Sequence, residues 1–237
     1  MGDSLEEENK AEDTKEEKED TIRSDKVLIA TIIIFILIVA GFAVWMKFLN
    51  KTVVVNTIDD LHKLNIKGKL DSQYGYVYKG YSFVYSDGLW YTQIQTKQGG
   101  VMFDLPMHYG PREVEDVEIY GSFNYSIFNE NKEIYVTFDP LGKDENFKYI
   151  SVAIGEFDQP IIKAFNKLPI AACDKEAEVC SGRPIVTCDN RSLSVLYIKD
   201  GTSPRVELDG NCLIVSGDGL GIIKAVDRLL LTLYGIM

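Results

Sequence analysis

The sequence has few of the residues on which most metal sites and nucleic-acid-binding surfaces depend. Only 2 of its 237 residues are histidine, and 25 Lys and Arg stand against 36 Asp and Glu, which gives a net charge of −11. Two histidines leave little for a histidine-based metal site. Affinity for nucleic-acid phosphates comes from clustered Lys and Arg, so we expect no nucleic-acid partner.

Several catalytic signatures are also absent. The chain contains no Cys-Xaa-Xaa-Cys, no Gly-Xaa-Ser-Xaa-Gly and no P-loop sequence. These absences remove the usual marks of thioredoxin-like, α/β-hydrolase and nucleotide-binding proteins. Apolar residues nevertheless make up 46% of the chain, which is too much for a wholly disordered protein.

The acidic charge is concentrated in the first 26 residues. Residues 1–26 hold 11 acidic and 5 basic side chains and almost nothing apolar, so they carry −6, whereas the other 211 residues carry −5. A segment that cannot bury apolar surface cannot offset the entropy lost on ordering. We predict a disordered, acidic, cytoplasmic tail over 1–26. The alternative is a docking tail for a basic partner.

One long apolar run follows the tail. Residues 27–46 contain no charge, and 20 helical residues span roughly 30 Å, the thickness of a bilayer's hydrocarbon core. Side chains suited to the membrane interface flank the run: Arg23, Lys26, Trp45, Lys47 and Lys51. We predict a transmembrane helix over 27–48, with the lipid bilayer as its partner, rather than a buried core helix. The leader is too long and acidic for a cleaved signal peptide.

Cysteines and glycosylation sequences indicate the orientation of this helix, since the positive charges on its two sides nearly balance. All four cysteines follow the run, which suits an oxidising compartment. Three Asn-Xaa-Ser/Thr sequons also follow it, at Asn50, Asn124 and Asn190. We therefore predict a single-pass protein of the cell membrane, with a cytoplasmic N-terminus and an extracytoplasmic C-terminal domain.

Residues 52–237 are numerous enough for a well-packed core. Aromatic and β-branched runs on both sides of Asp87-Gly88 predict a β-hairpin. We predict a short strand and a helix over 52–64, and further strands at 100–108, 117–120, 134–138, 184–188, 193–198 and 212–215. Apolar spacings of three or four predict helices over 150–168 and 220–234. Pro160 should kink or divide the first of these helices, and Asp218 should cap the second.

This order of elements predicts the fold class. Strands come first and helices later, which favours an α+β fold: an N-terminal transmembrane helix followed by a disulfide-containing, mixed sheet-and-helix extracytoplasmic domain over 52–237. The pattern suggests that this domain has a β-rich half, 52–140, and an αβ half, 141–237.

Four stretches of the domain resemble a group of uncharacterised archaeal membrane proteins. They read GLWYTQIQ, HYGPREVEDV, AAC…VC…RPIVTCDN and NCLIVSGDGLGIIKAVDRLLLTLYGIM. The resemblance covers most of residues 75–237. It implies one N-terminal span and one outer domain, and it implies no chemistry.

The four cysteines are the clearest candidates for covalent structure. Cys173, Cys180, Cys188 and Cys212 have 6, 7 and 23 residues between them. Zinc ribbons use cysteine pairs two to four residues apart, so this spacing favours two disulfides over a metal site. Three pairings exist, and we favour Cys173–Cys180, which closes a loop, with Cys188–Cys212. We predict no metal and no cofactor.

Two short motifs have groups suited to catalysis or anion binding, but each also has a structural interpretation. His108 lies close in sequence to Arg112 and to the acidic stretch 113–118, so these groups have the side chains for acid–base catalysis, although a loop histidine is more often structural. The glycine-rich stretch 216–221 lies between a strand and a helix, where phosphates often bind. It lacks the third glycine of the dinucleotide-binding motif, so we favour helix capping over anion binding.

The aromatic residues between 74 and 91 allow two interpretations. They fill the core of the predicted sheet, or one exposed face of them binds a glycan or a peptide. The candidate binding residues are Tyr76, Tyr78, Tyr81, Tyr85, Trp90 and Tyr91, together with His108 and Arg112.

These observations favour a non-enzymatic function. We expect a membrane-anchored binding, accessory or structural protein of the cell envelope, whose partner is a membrane protein, an envelope protein or a glycan. The alternative is an extracytoplasmic hydrolase that uses His108 with nearby carboxylates.

Overall fold

The computed structural model describes residues 29–46, 57–96, 100 and 102–237. These residues fall into two units, one with the helix α1 (Ile29–Met46) and one with residues 57–237. The side chains of α1 are all exposed and none is charged, so this helix is long and apolar enough to cross a membrane. The predicted tail 1–26 and the short strand predicted from residue 52 lie outside the described residues.

The second unit contains ten described strands and four helices. The helices are α2 (Ile58–Ile66), α3 (Tyr125–Glu130), α4 (Phe147–Phe165) and α5 (Leu220–Leu233). The first strands are β1 (Gly75–Tyr78), β2 (Tyr81–Ser86), β3 (Leu89–Gln95), β4 (Met102–Met107) and β5 (Glu118–Phe123). The others are β6 (Glu133–Phe138), β7 (Leu168–Ala171), β8 (Val195–Asp200), β9 (Arg205–Gly210) and β10 (Cys212–Gly217).

Sheet 1 is an antiparallel meander with the strand order β1-β2-β3-β4. The predicted hairpin joins β2 to β3 through Asp87 and Gly88, whose φ angles are 51° and 85°. Two successive positive φ angles produce the tight turn that matches the twist of paired strands, and Asp-Gly adopts them readily. The hairpin prediction is therefore confirmed.

Sheet 2 is mixed, with the order β5-β9-β10-β8-β6-β7. Strands β6, β7, β8 and β10 are parallel, β9 is antiparallel to β10, and β5 is parallel to β9. Both β5 and β6 precede residue 140 and belong to this sheet. Mixed sheets with helices confirm the predicted α+β class.

One hydrophobic core joins the two sheets through α4 and α5. It contains Phe83 and Leu105 of sheet 1, Leu196 and Leu213 of sheet 2, and Phe157 of α4. On the opposite face of sheet 2 a smaller core includes Val186, Val195 and Ile214, under the loop 172–193. Alternate residues of β8 and β10 therefore face different cores, as the strand period of two requires.

Both predicted disulfides are present and join the predicted pairs. Cys173 bonds Cys180 and Cys188 bonds Cys212, with Cα–Cα distances of 6.2 and 5.4 Å. The second bond fastens the end of the loop to the first residue of β10. The Cys173–Cys180 bond therefore closes the 172–193 loop on itself, and the Cys188–Cys212 bond joins that loop to sheet 2.

Helix α4 differs from the helix predicted over 150–168 in its interior and at its C-terminal end. Helix α4 is not divided at Pro160, which lies buried within it. The helix ends at Asn166, whose left-handed conformation (φ 53°, ψ 44°) stops it, so Leu168 lies in β7 and not in the helix. Packing of Phe157 and Ile161 in the core on either side outweighs the one hydrogen bond that proline removes.

Three further predictions need correction or completion. Residues 184–188 do not form a strand: only an isolated bridge joins Ile185 to Cys173, because disulfides rather than a ladder hold this loop. Asp218 does not cap α5, since its carboxylate accepts hydrogen bonds from Lys143 and Asn146 and the capping residue is Gly219. Helix α3 and the strands β7 and β9 have no counterpart among the predicted elements.

Candidate functional site

Most of the aromatic candidates belong to the core. Tyr76 and Trp90 are only 8% and 9% exposed. The Tyr76 ring stacks on Phe83 at 5.6 Å and meets Trp90 edge-on at 4.9 Å, and burial raises the pKa of Tyr76 to about 12. Tyr78 and Tyr81 are half-buried against the same cluster. This face of sheet 1 packs inside the protein.

The remaining candidates do not form a continuous row. Tyr85 is 36% exposed and its ring lies 5.2 Å from Trp90, whereas Tyr91 points to the opposite face because successive strand residues alternate. Arg112 is exposed, with its guanidinium 4.0 Å from the centre of the Tyr76 ring. It therefore covers the edge of the aromatic core through a cation–π contact.

His108 lies in the segment after β4, where three successive backbone N–H groups each donate to a carboxylate. His108 N lies 2.9 Å from Glu156 Oε1 of α4. Tyr109 N lies 2.8 Å from Asp227 Oδ2 of α5. Gly110 N lies 2.8 Å from Glu113 Oε2 of the adjoining 3-10 turn. The end of sheet 1 is thereby fixed to both long helices.

The imidazole of His108 also bonds Glu156. Its Nδ1 atom contacts Glu156 Oε1, and the side chains of these two residues are 39% and 9% exposed. Within the part of the chain that the structure describes, Nε2 forms no hydrogen bond. Nε2 is therefore the ring atom that can exchange a proton with a molecule arriving from solvent.

Beneath the histidine, Glu156 and Asp227 form a buried carboxyl pair. Asp227 is fully buried. Burial raises its pKa well above the ordinary value, and the neighbouring Glu156 charge raises the pKa further. Burial likewise raises the pKa of Glu156, against the opposing effect of His108. Two carboxyl groups this close do not both ionise at neutral pH, so they share a proton.

The shared proton also accounts for two otherwise unpaired atoms. Glu156 Oε2 and Asp227 Oδ1 are buried and accept no hydrogen bond from any N–H or O–H group of the described residues. A proton on the pair supplies an O–H donor that two ionised carboxylates would lack. The result is a chain of hydrogen bonds from Asp227 through Glu156 to the half-exposed imidazole.

Sequence reasoning sought the acid in the wrong element. The predicted partners of His108 lay within 113–118, but Glu113 bonds Gly110 and the partner is Glu156, 48 residues away. The sequence did contain a signal for the buried carboxyl pair: Asp227 lies among Ile223, Val226 and Leu230 on the apolar face of α5. A charged residue on the buried face of a helix needs a partner and marks a candidate site.

The arrangement has part of the equipment for acid–base chemistry. A carboxylate that holds Nδ1 of a histidine fixes the orientation of the ring. Among the described residues, however, no serine, threonine or cysteine is hydrogen-bonded to His108, and no cluster of three His, Cys, Asp or Glu residues is arranged to hold a metal. The nucleophile in a hydrolysis would have to be water.

A second polar cluster surrounds the glycine-rich stretch 216–221. Asn146 donates to Asp200 at 2.7 Å and to Asp218 at 3.2 Å, and its Oδ1 accepts from Gly219 N at 2.9 Å. Lys143 Nζ lies 2.7 Å from Asp218 Oδ1. The Asn146 side chain thus already occupies Gly219 N, a donor that a bound anion would need. The carboxylates of Asp200 and Asp218 lie beside it. This geometry favours the structural interpretation over anion binding.

No known protein family, curated protein or solved structure significantly matches this chain. Its function therefore has to be argued from its own residues and their geometry.

Proposed function

We propose that this chain is a single-pass membrane protein whose extracytoplasmic domain acts as a binding, accessory or structural component of the cell envelope. The observation that carries this proposal is the combination of α1, apolar and exposed throughout, with two disulfides in the other unit. Structural disulfides persist in oxidising compartments and are rare in the cytosol. The domain therefore belongs on the outer side of the membrane.

The buried asparagines of the domain have structural roles. Asn65 donates to Tyr76 O and Phe83 O, and Asn211 donates to Asn190 O and Leu193 O. With Asn146, these buried amides all hold the fold together. The partner in this proposal is a membrane or envelope protein, or a glycan.

A pull-down tests the partner and a labelling experiment tests the location. The tagged full-length chain, purified in mild detergent from its native membranes, should bring down a stoichiometric protein or glycan. In intact cells, an impermeant protease should cut the domain, and thiol labelling should require a reductant. A lone monomer would contradict the binding proposal. A protected domain with free thiols would contradict the location.

The hydrogen-bond chain from Asp227 to His108 favours one second candidate, a hydrolase in which His108 Nε2 activates water. Purified protein would be assayed against ester, glycoside and phosphoester substrates. Under this hypothesis His108→Gln abolishes turnover while the backbone bond to Glu156 remains, and urea unfolding checks that the variant is folded. Tyr85→Phe, which removes only the hydroxyl of a 36% exposed ring in β2, is the matched control. Absence of turnover with every substrate class would remove the hypothesis.

A further inference from the structure

We propose that Asn124 and Asn190 both carry N-linked glycans, which project from the same end of sheet 2. This inference rests on the proposed extracytoplasmic location, because N-glycosylation requires access to the outer face of the membrane. Both residues are in Asn-Xaa-Ser sequons, Asn124-Tyr125-Ser126 and Asn190-Arg191-Ser192. The third sequon, at Asn50, lies outside the described residues.

The side chains of both asparagines leave the reactive nitrogen free. Asn124 is exposed, and its Oδ1 accepts hydrogen bonds from Ser126 N at 3.0 Å and Ile127 N at 3.4 Å. Asn190 is also exposed, and its Oδ1 accepts from Thr187 N at 2.9 Å. Neither Nδ2 atom donates to a described residue. A glycan on Nδ2 leaves each Oδ1 contact intact, so modification is compatible with the fold.

The buried asparagines provide the internal comparison. Asn65, Asn146 and Asn211 all use Nδ2 as a donor inside the protein. Substitution at these nitrogens would break bonds in the core, and none of the three is followed by Xaa-Ser/Thr. Within residues 57–237, the sequons thus fall on asparagines that can accept a glycan and not on those that cannot.

Hydrogen bonds place the two sequons beside one turn. Asn124 N donates to Gly210 O at 2.6 Å, and Asn211 Nδ2 donates to Asn190 O at 3.1 Å. Gly210 is the last residue of β9, and Asn211 connects it to β10. Asp200 and Asp218 lie at the other end of sheet 2, where β8 and β10 finish. Two glycans would therefore cover one end of the sheet and leave the acidic end open to a partner.

The modification needs a donor, which we assign to the class of lipid-linked glycosyl phosphates or pyrophosphates. The bond between the sugar C1 and the phosphate oxygen breaks, and a bond between C1 and Asn Nδ2 forms. The lipid phosphate leaves with the bonding electrons, and the amide gives up one Nδ2 proton. No oxidation or reduction occurs, so the step is balanced.

The test is mass spectrometry of the full-length chain purified from its native membranes. Asn124→Gln and Asn190→Gln should each remove one glycan mass, and the double variant should remove both. Ser126→Ala and Ser192→Ala keep each asparagine and should reproduce the same losses. Asn129→Gln, an exposed residue of α3 outside any sequon, is the control and should change nothing. Glycan on peptides of both sites is the supporting result.

Protease access and thiol labelling separate this inference from the proposed location. Unmodified Asn124 and Asn190 in a domain that is outside and oxidised would overturn the glycosylation alone. Unmodified sites in a cytoplasmic domain with free thiols would overturn both. Occupancy at only one of the two sites would overturn the claim that both glycans cover the same end.

Discussion

Two segments of the domain are held in place by different kinds of bond. The 172–193 loop is joined to itself and to β10 by two disulfides. The 108–110 segment is held by hydrogen bonds to Glu156, Asp227 and Glu113. The disulfides depend on redox conditions and not on protonation. The hydrogen bonds of the 108–110 segment are unaffected by reductants and depend on which carboxyl groups carry a proton.

The two segments are held by different bonds because they lie over cores of different size. The loop covers a core of only five buried residues, so apolar burial contributes little and covalent closure helps to hold it. The 108–110 segment crosses the large shared core, where Asp227 has no access to water. A buried carboxyl group there is stabilised by backbone donors and a shared proton.

The largest expected effect concerns the disulfides. Replacing Cys188 and Cys212 with alanine opens the longer loop and should lower the free energy of unfolding by roughly 3 kcal/mol, whereas opening the Cys173–Cys180 loop should lower it by roughly 2 kcal/mol. Urea unfolding of the full-length chain in detergent, followed by tryptophan fluorescence, measures both. Equal losses would show that loop length is not the governing factor.

A similar loss is expected at the buried carboxyl pair. Asp227→Ala removes the acceptor of Tyr109 N and the partner of Glu156, and should cost roughly 2 to 3 kcal/mol. Asp227→Asn keeps both contacts, since its amide accepts from Tyr109 and donates to Glu156, and should cost clearly less. The same unfolding experiment compares them. An equally large loss in the asparagine variant would contradict the shared proton.

The buried carboxyl pair of Glu156 and Asp227 should also make the stability of the domain depend on pH. Above the ordinary pKa of 3.8 the unfolded Asp227 loses its proton, whereas the folded protein keeps it because burial raises that pKa. Unfolding then releases a proton, so stability falls as pH rises through this window, by up to about 1.4 kcal/mol per pH unit for each proton. Asp158, whose pKa burial raises to about 6, adds to the fall at the acidic end.

Unfolding curves between pH 4 and pH 8 measure this dependence. Asp227→Asn should flatten the slope, and the Cys173–Cys180 variant should leave it unchanged. His108 faces Glu156 and the backbone N–H of Tyr109 faces Asp227, and both residues are unchanged in this comparison. A slope that is identical in the wild type and in Asp227→Asn would assign the pH dependence to other groups.

The smallest effect is expected at α2, on the outer face of sheet 1. Thr57 Oγ1 accepts from Asp60 N at 3.2 Å and caps this helix. Thr57→Ala should cost about 1 kcal/mol, whereas Thr57→Ser should keep most of the cap. Thermal unfolding followed by circular dichroism resolves the two. No difference between them would show that the cap contributes nothing to the stability of the folded domain.

Local patterns predicted much of the fold. The Asp87-Gly88 hairpin, most of the strands and the periodicity of α5 could be read from the sequence because each depends on residues close together in the chain. The cysteine spacing, together with a strand assignment at 212–215, was enough to favour the correct pairing. The strand predicted at 184–188 was wrong because disulfides hold that loop, and Pro160 does not divide α4 because core packing outweighs local propensity there.

The sequence by itself determined the charge separation, the apolar helix, the fold class and the chemistry of the cysteines. These properties depend on composition and short-range periodicity. Only the tertiary structure decided that His108 meets Glu156 and that Tyr109 meets Asp227, 118 residues further along. These contacts arise where sheet 1 packs on α4 and α5, and a pattern of residues along one strand or helix does not contain the relative placement of two elements.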